Sequence, residues 1–290
     1  MPNNMLIRPF LKWAGGKRQL ISEIEKYLPS KKGINKHTYY EPFIGGGAVF
    51  FWLTPKNAVI NDINKELINC YETIKDSVDE LIEALINHKN NHTEEYYYSM
   101  RDKDRSEKTY AQLSQIEKAA RIIYLNKTCY NGLFRVNSQG QFNVPFGKYR
   151  NPNILDEAVL RAVSKYLNSN NICLLNKDFE MAVSQAKKGD FVYLDPPYDP
   201  VSETSSFTGY DINGFNREEQ RRLKELFDDL TQRGCKVMLS NSSTDFIKNL
   251  YKDYERYTKT VSASRIINSK VFKRGAVEEL LILNYDTQAD

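Results

Sequence analysis

Gly189-Asp190-Phe191-Val192-Tyr193-Leu194-Asp195-Pro196-Pro197-Tyr198 passes from an apolar run to an acid to a rigid turn in a few residues. Phe191 to Leu194, β-branched and aromatic, reads as a strand buried on both faces of a parallel sheet. Asp195 stands where that strand should end, and two prolines, which have no N–H to donate, prevent the ladder from continuing. Ligands of open α/β sheets bind outside the carboxyl ends of the strands, which puts a site at Asp195, Pro196, Pro197 and Tyr198. These residue types suit one chemistry. The Asp195 carboxylate and a carbonyl held by the Pro-Pro turn can both accept from a single amino group. Tyr198 offers a face for an aromatic base. An exocyclic base amine held in this way turns its lone pair towards an electrophile such as a methyl sulfonium. A strand-ending Asp-Pro turn has the same appearance in isolation, so the surrounding chain must decide.

Upstream, Tyr39-Tyr40-Glu41-Pro42-Phe43-Ile44-Gly45-Gly46-Gly47-Ala48 reads as strand, glycine turn and helix start, the entry unit of a nucleotide-type fold. It lacks the GxGxxG spacing and a Walker lysine, which disfavours a pyrophosphate ligand and a nucleotide-binding dehydrogenase. Gly45 and Gly47 would instead let the backbone approach a neutral or zwitterionic cofactor. Ala58 to Asn61 is a second buried strand, ending at Asp62. Its distance from the glycine turn is near the roughly 20 residues at which such folds place a ribose-binding acid. An acid capping the helix that starts near Asn64 is the competing reading. Phe10-Leu11-Lys12-Trp13-Ala14-Gly15-Gly16-Lys17 precedes these elements: Trp13 can cover an aromatic ring and Lys17 can reach a carboxylate. Asp178-Phe179 follows a strand at 172–175. Phe179 can stack on adenine while Asp178 accepts from its amino group, or the pair can simply start a helix.

From 64 to about 126 the apolar spacing is helical. The segment 126–149 then interleaves Arg, Lys, Asn and Gln with aromatics. Alternation about Ser138-Gln139-Gly140 predicts a β-hairpin suited to groove contacts. The 290 residues carry a net charge of +4, which permits nucleic-acid binding without demanding it. Four separated cysteines without CxxC spacing and three histidines predict neither a disulfide framework nor a metal site. No apolar run is long enough to span a membrane, and the start has no signal-peptide pattern, so the expected location is cytoplasmic.

KWAGGK at 12–17, EPFIGGGAVF at 41–50, INDIN at 60–64 and DPPY at 195–198 occur in a fixed order, with YNGLFR at 130–135, FNVPFGKY at 142–149 and FTGY at 207–210 between or beyond them. This ordered set, covering nearly the whole chain, resembles the Dam-type (D12 class, alpha group) DNA adenine methyltransferases that modify GATC. The resemblance implies an α/β, Rossmann-like S-adenosylmethionine-dependent methyltransferase sheet made of 1–64 and 155–290. It implies an inserted helical DNA-recognition domain at 65–154, carrying the hairpin. It further implies cofactor contacts from Trp13, Lys17, Asp62 and Asp195. Contacts to double-stranded DNA would come from Lys12, Tyr130, Asn131, Leu133, Arg135, Pro145 and Tyr149. A cognate restriction endonuclease would be compatible with this assignment. RNA adenine or cytosine amine methylation, and non-catalytic DNA binding on the same fold, are the alternatives. The role of the basic loop 264–275 is open.

Overall fold

The computed structural model describes residues 5–13, 15–200, 214–264 and 276–287. The FTGY segment at 207–210, Ala14, and the basic residues Arg265, Lys270, Lys273 and Arg274 lie outside them. The described residues form a seven-stranded sheet from β1 (Tyr39–Glu41), β2 (Asn57–Asn61), β3 (Asn171–Leu175), β4 (Phe191–Leu194), β5 (Lys236–Ser242), β6 (Lys259–Ser264) and β7 (Ala276–Leu283). Their spatial order is β3-β2-β1-β4-β5-β7-β6. The first five are parallel to one another, and β7 runs antiparallel between β5 and β6. This is the α/β sheet expected of a Rossmann-like methyltransferase.

β4 explains why the sheet is covered on both sides. Phe191 and Tyr193 enter one apolar cluster with Tyr39, Phe50 and Leu281. Val192 and Leu194 enter a second with Leu223, Phe227 and Leu230 of the helix Arg217–Gln232. All four strand residues are buried because side chains alternate between two packed faces. The helical stretch predicted at 64–126 comprises the helices Lys65–Asp76, Val78–Asn90, Glu94–Arg101, Glu107–Ala111 and Gln115–Thr128. Asn64 caps the first by accepting from the Leu67 N–H at 3.1 Å. Ser114 and Glu117 form a reciprocal capping box on the last. Leu67, Leu81, Tyr97 and Leu125 from these helices join the same cluster as Phe191, so the helices and the sheet share one apolar core.

Strand order reverses between β1 and β4, since the chain fills the sheet outward to β3 before returning to β4 and β5. The crevice so opened lies at the carboxyl ends of these strands, where Glu41, Asp62 and Asp195 stand. β7 supplies its opening residues to the same end, because it is antiparallel: Glu279 pairs with Ser242, the last residue of β5. No helix among the described residues is long and apolar enough to cross a membrane.

Candidate active site

Four side chains meet beyond β4. The Lys17 ammonium lies 2.7 Å from Asp195 Oδ1, with side-chain exposures of 6% and 18%. It also donates to the Gly15 carbonyl at 2.8 Å and sits 4.6 Å from the centre of the Tyr198 ring. The Tyr198 hydroxyl donates to Glu279 Oε2 at 2.7 Å. Burial raises the Asp195 carboxyl to about 6, against the lowering effect of the Lys17 charge, and the nearby Glu279 raises it further. Tyr198 is pushed well above the ordinary phenol value by burial and by these two carboxylates. Asp195 is thus a carboxylate in a dry setting, held ionised chiefly by one ammonium. Glu41, buried at the end of β1, accepts from Tyr39 Oη at 2.6 Å, and burial raises its carboxyl well above the usual range.

The turn after Asp195 is locked from the far side. Gln220 donates to the Pro197 carbonyl at 2.9 Å and accepts from Asn241 Nδ2 at 2.9 Å. Asn241 Oδ1 accepts from the Asp199 N–H at 3.3 Å, and Ser242 Oγ donates to the Asp199 carbonyl at 2.7 Å. The buried Asp199 carboxylate receives Arg217 Nε at 3.0 Å and Thr244 Oγ1 at 2.8 Å.

At the end of β2, Asp62 is half-buried and accepts the Gly45 N–H at 3.0 Å on one oxygen and the Asn64 N–H at 2.9 Å on the other. It therefore supports the glycine turn and the following helix. The glycine turn packs against two side chains of the protein. A Cβ on Gly45 would stand 2.8 Å from Trp13 Cδ1, and one on Gly47 would stand 2.7 Å from the Tyr71 hydroxyl. Both residues have positive φ, 47° and 71°. Their missing side chains make room for Trp13 and Tyr71, and the Trp13 ring stacks on Phe134 at 4.9 Å. Phe179 is 5% exposed, lies 5.4 Å from the Phe43 ring, and is covered by the Arg222 guanidinium at 4.8 Å. Asp178 caps the short helix Phe179–Ala182 and pairs with Arg222 at 3.1 Å. Arg222 thus occupies the outer face of Phe179.

The hairpin predicted about Ser138-Gln139-Gly140 is present. It is held by isolated antiparallel bridges, Val136 with Phe142 and Cys129 with Phe146, in place of full strands. Asn137 closes its tip, its side-chain oxygen accepting from the Gln139 and Gln141 N–H groups at 3.0 Å each. Arg135 is exposed at its base. The Tyr130 ring is 48% exposed although its N–H is fixed to the Pro145 carbonyl at 2.9 Å. Asn131 adopts left-handed backbone geometry, φ 57°. Lys12 joins this surface: Asn126 clasps both of its backbone groups, its stem lies against Gly132, and its ammonium is 5.2 Å from the Tyr149 ring centre. Leu133 is half-buried beside it. Lys12, Tyr130, Asn131, Leu133, Arg135, Pro145 and Tyr149 therefore lie in one region, although more than a hundred positions separate the first from the rest.

Residues 13–264 match the family model of the D12 class N6 adenine-specific DNA methyltransferases. The chain belongs to this family. It is 48% identical over 283 residues to the type II methyltransferase M1.LlaDCHI of Lactococcus lactis subsp. cremoris, covering 98% of this chain and 97% of that one. Identity to the type II methyltransferase M.MjaIII of Methanocaldococcus jannaschii is 45% over 295 residues, covering 97% and 100%. Identity to the DNA adenine methylase of Serratia marcescens is 34% over 280 residues, covering 95% and 98%. The protein is an adenine-specific DNA methyltransferase.

For such an enzyme the cluster at Asp195 acquires its meaning, and it includes residues the sequence did not single out. Glu279 escaped notice because it sits inside the apolar strand AVEELLIL. An acid at a sheet position is the one cue, and only the antiparallel pairing brings it to the site. Gln220, Asn241 and Asp199 form a buried polar network whose members come from three separate segments. Asn143, which binds Arg135, lay within the motif FNVPFGKY but carried no signal of its own.

Proposed function

We propose that the enzyme transfers the methyl group of S-adenosylmethionine to the exocyclic amine of adenine within GATC in double-stranded DNA, after extruding the base. The observation that supports the chemistry best is the largely buried Asp195 carboxylate, paired with Lys17 at the end of β4 beside the point of strand reversal. The residues present fit the donor. Asp62 stands half-exposed at the end of β2 as the charged acceptor for the ribose hydroxyls, and Trp13, Gly45 and Gly47 build the adjoining wall. Lys17 and Asp195 complete the cofactor set, with Asp178 and Phe179 on the adenine side, where Arg222 must withdraw from the Phe179 ring for a base to stack on it. S-adenosylmethionine supplies an electrophilic methyl group on a sulfonium.

The chain's own residues do the rest. Asp195 and the Pro196 carbonyl accept the two hydrogens of the target amine, which directs its lone pair outward. As positive charge develops on that nitrogen, the preorganised carboxylate stabilises it without reorganising. Tyr198 stacks on the extruded base and offsets part of the few kcal/mol that unstacking costs. Lys17 now occupies both the carboxylate and the ring face that the base requires, so it must shift as the base enters. Positioning supplies much of the acceleration, and no general base is needed because the proton can leave after transfer.

Recognition falls to the hairpin region: Arg135 reads a guanine, Tyr130 or Leu133 fills the vacated stack, and Lys12, Asn131, Pro145 and Tyr149 complete the contact surface. Residues 65–154 act as the recognition domain, and 1–64 with 155–290 as the catalytic domain. The GATC assignment is supported by the hairpin motifs and by the likeness to DNA adenine methylases. The likeness to type II methyltransferases supports a place in restriction–modification, in which a cognate endonuclease would be the counterpart. The reading is tested by tritiated methyl transfer to duplexes carrying GATC and its single-pair variants. Transfer confined to adenine in GATC is expected, and equal transfer to all variants contradicts it.

A further inference from the structure

Arg135 does not hang free from the hairpin. Its Nε donates to Asn143 Oδ1 at 2.7 Å, and its Nη2 donates to the Asn143 carbonyl at 3.2 Å. The Asn143 N–H in turn donates to the Arg135 carbonyl at 3.0 Å, so the two residues face each other across the hairpin. A guanidinium has five N–H donors in a fixed plane. Asn143 uses two of them, both on the edge formed by Nε and Nη2. Three remain, and two of these, one on each Nη nitrogen, point in parallel from the tip. That pair is the fork that matches O6 and N7 of guanine.

The partner is itself held. Asn143 follows Phe142, a 1% exposed ring. The Phe142 N–H donates to Asp104 Oδ2 at 2.8 Å, and its carbonyl receives Arg105 Nη2 at 2.6 Å. Asp104 is anchored by Arg121 at 2.8 Å, whose side chain is 2% exposed in the helix Gln115–Thr128. Arg121 also donates to the Met100 and Arg101 carbonyls at 2.6 and 2.7 Å. A continuous polar chain therefore runs from the buried face of that helix, through Asp104 and Phe142, to Asn143 and the Arg135 fork.

We infer that Asn143 is a specificity-determining positioning residue: it occupies the side edge of the Arg135 guanidinium and presents the tip edge for reading one guanine. The inference rests on the proposal that Arg135 reads a base. A long side chain otherwise loses much rotamer freedom on binding, and orienting it beforehand removes part of that cost for the matching base. The gain is confined to geometry that uses both tip donors, so it enters discrimination rather than general affinity.

The experiment measures kcat/KM on GATC and on each single-pair variant for wild type, Arg135→Ala, Asn143→Ala, Asn143→Asp and the double alanine variant. Preferences are compared as ratios within one variant, so a uniform loss of affinity or of folded enzyme cancels. Arg135→Ala should reduce preference at one base pair about fivefold or more. Asn143→Ala should reduce preference at that same pair by roughly three- to tenfold, and nowhere else. The double variant should be no less selective than Arg135→Ala alone, because both changes act through one side chain. Asn143→Asp keeps the acceptor and should keep the preference. If Arg135→Ala loses rate evenly across the panel, the base-reading proposal fails and this inference with it. If Arg135→Ala relaxes one position while Asn143→Ala slows all duplexes alike, Asn143 is a backbone anchor and this inference alone is overturned.

Discussion

Replacing Asp195 by alanine perturbs two things at once, and the structure allows them to be separated. The first is chemistry. Losing one preorganised stabilising group typically costs ~2.7–4 kcal/mol in the transition state, or about 10²- to 10³-fold in kcat. The second is stability. Lys17 is 6% exposed and the ion pair is 2.7 Å long, so the variant leaves a buried ammonium without its carboxylate. Removing one partner of a buried pair costs about 3–5 kcal/mol. Asp195 itself is 18% exposed, which argues for the lower end. A loss of ~3 kcal/mol corresponds to a melting temperature lower by on the order of 5–10 °C in a chain of this size. The double variant Lys17→Met, Asp195→Ala removes the stranded charge and should recover most of that temperature without recovering activity. Thermal melting and single-turnover methyl transfer on the four proteins of this cycle separate the two effects. An Asp195→Ala enzyme that melts like wild type and keeps more than about a tenth of its turnover would refute the reasoning.

Asp62→Ala should weaken S-adenosylmethionine binding more than DNA binding, by roughly 1.5–3 kcal/mol for each charge-assisted ribose bond lost. Calorimetry with each ligand checks this, and equal losses would mean that support of Gly45 and Asn64 is the residue's whole role. The pH profile of kcat/KM reports the free enzyme, and the Asp195 carboxyl near 6 should appear there as activity lost when pH falls through that value. Lys17 lowers this value and Glu279 raises it, so any residual activity of Lys17→Met should turn off at higher pH, and that of Glu279→Gln at lower pH. Glu279→Leu should raise KM for DNA by leaving the Tyr198 hydroxyl unpaired, whereas Glu279→Gln, which retains an acceptor, should not.

The central strand and its turn were legible because Phe191 to Leu194 is apolar without interruption and Pro196-Pro197 ends it by a covalent constraint. The hairpin tip was legible for a similar local reason, the turn chemistry around Gly140. The amphipathic spacing from Lys17 to Leu28 reads as one helix, but the chain there forms the short segments Lys17–Gln19, Ile21–Ile24 and Glu25–Tyr27. Buried Lys17, Leu20 and Ile24 fix its path, and tertiary contacts overrode helical spacing there. The glycines at 45 and 47 were recognised as necessary, but their neighbours are Trp13 and Tyr71, which no spacing rule reveals. Lys17 pairs with Asp195 of the protein itself, a partner nearly 180 positions away that no local spacing reveals. Glu279, Asp199 and Asn143 were not found, since each acts through a partner brought near only by strand pairing or by a loop.

The claim that most needs testing is that Asp195 and its neighbours methylate the adenine amine of GATC in duplex DNA. The measurement is transfer of a tritiated methyl group to a duplex containing one GATC, followed by digestion to nucleosides and separation of the labelled base. Label in N6-methyladenine, absent from a duplex in which that one pair is changed, is the predicted result. Label in methylated cytosine, or label in adenine that ignores the surrounding sequence, would contradict the account.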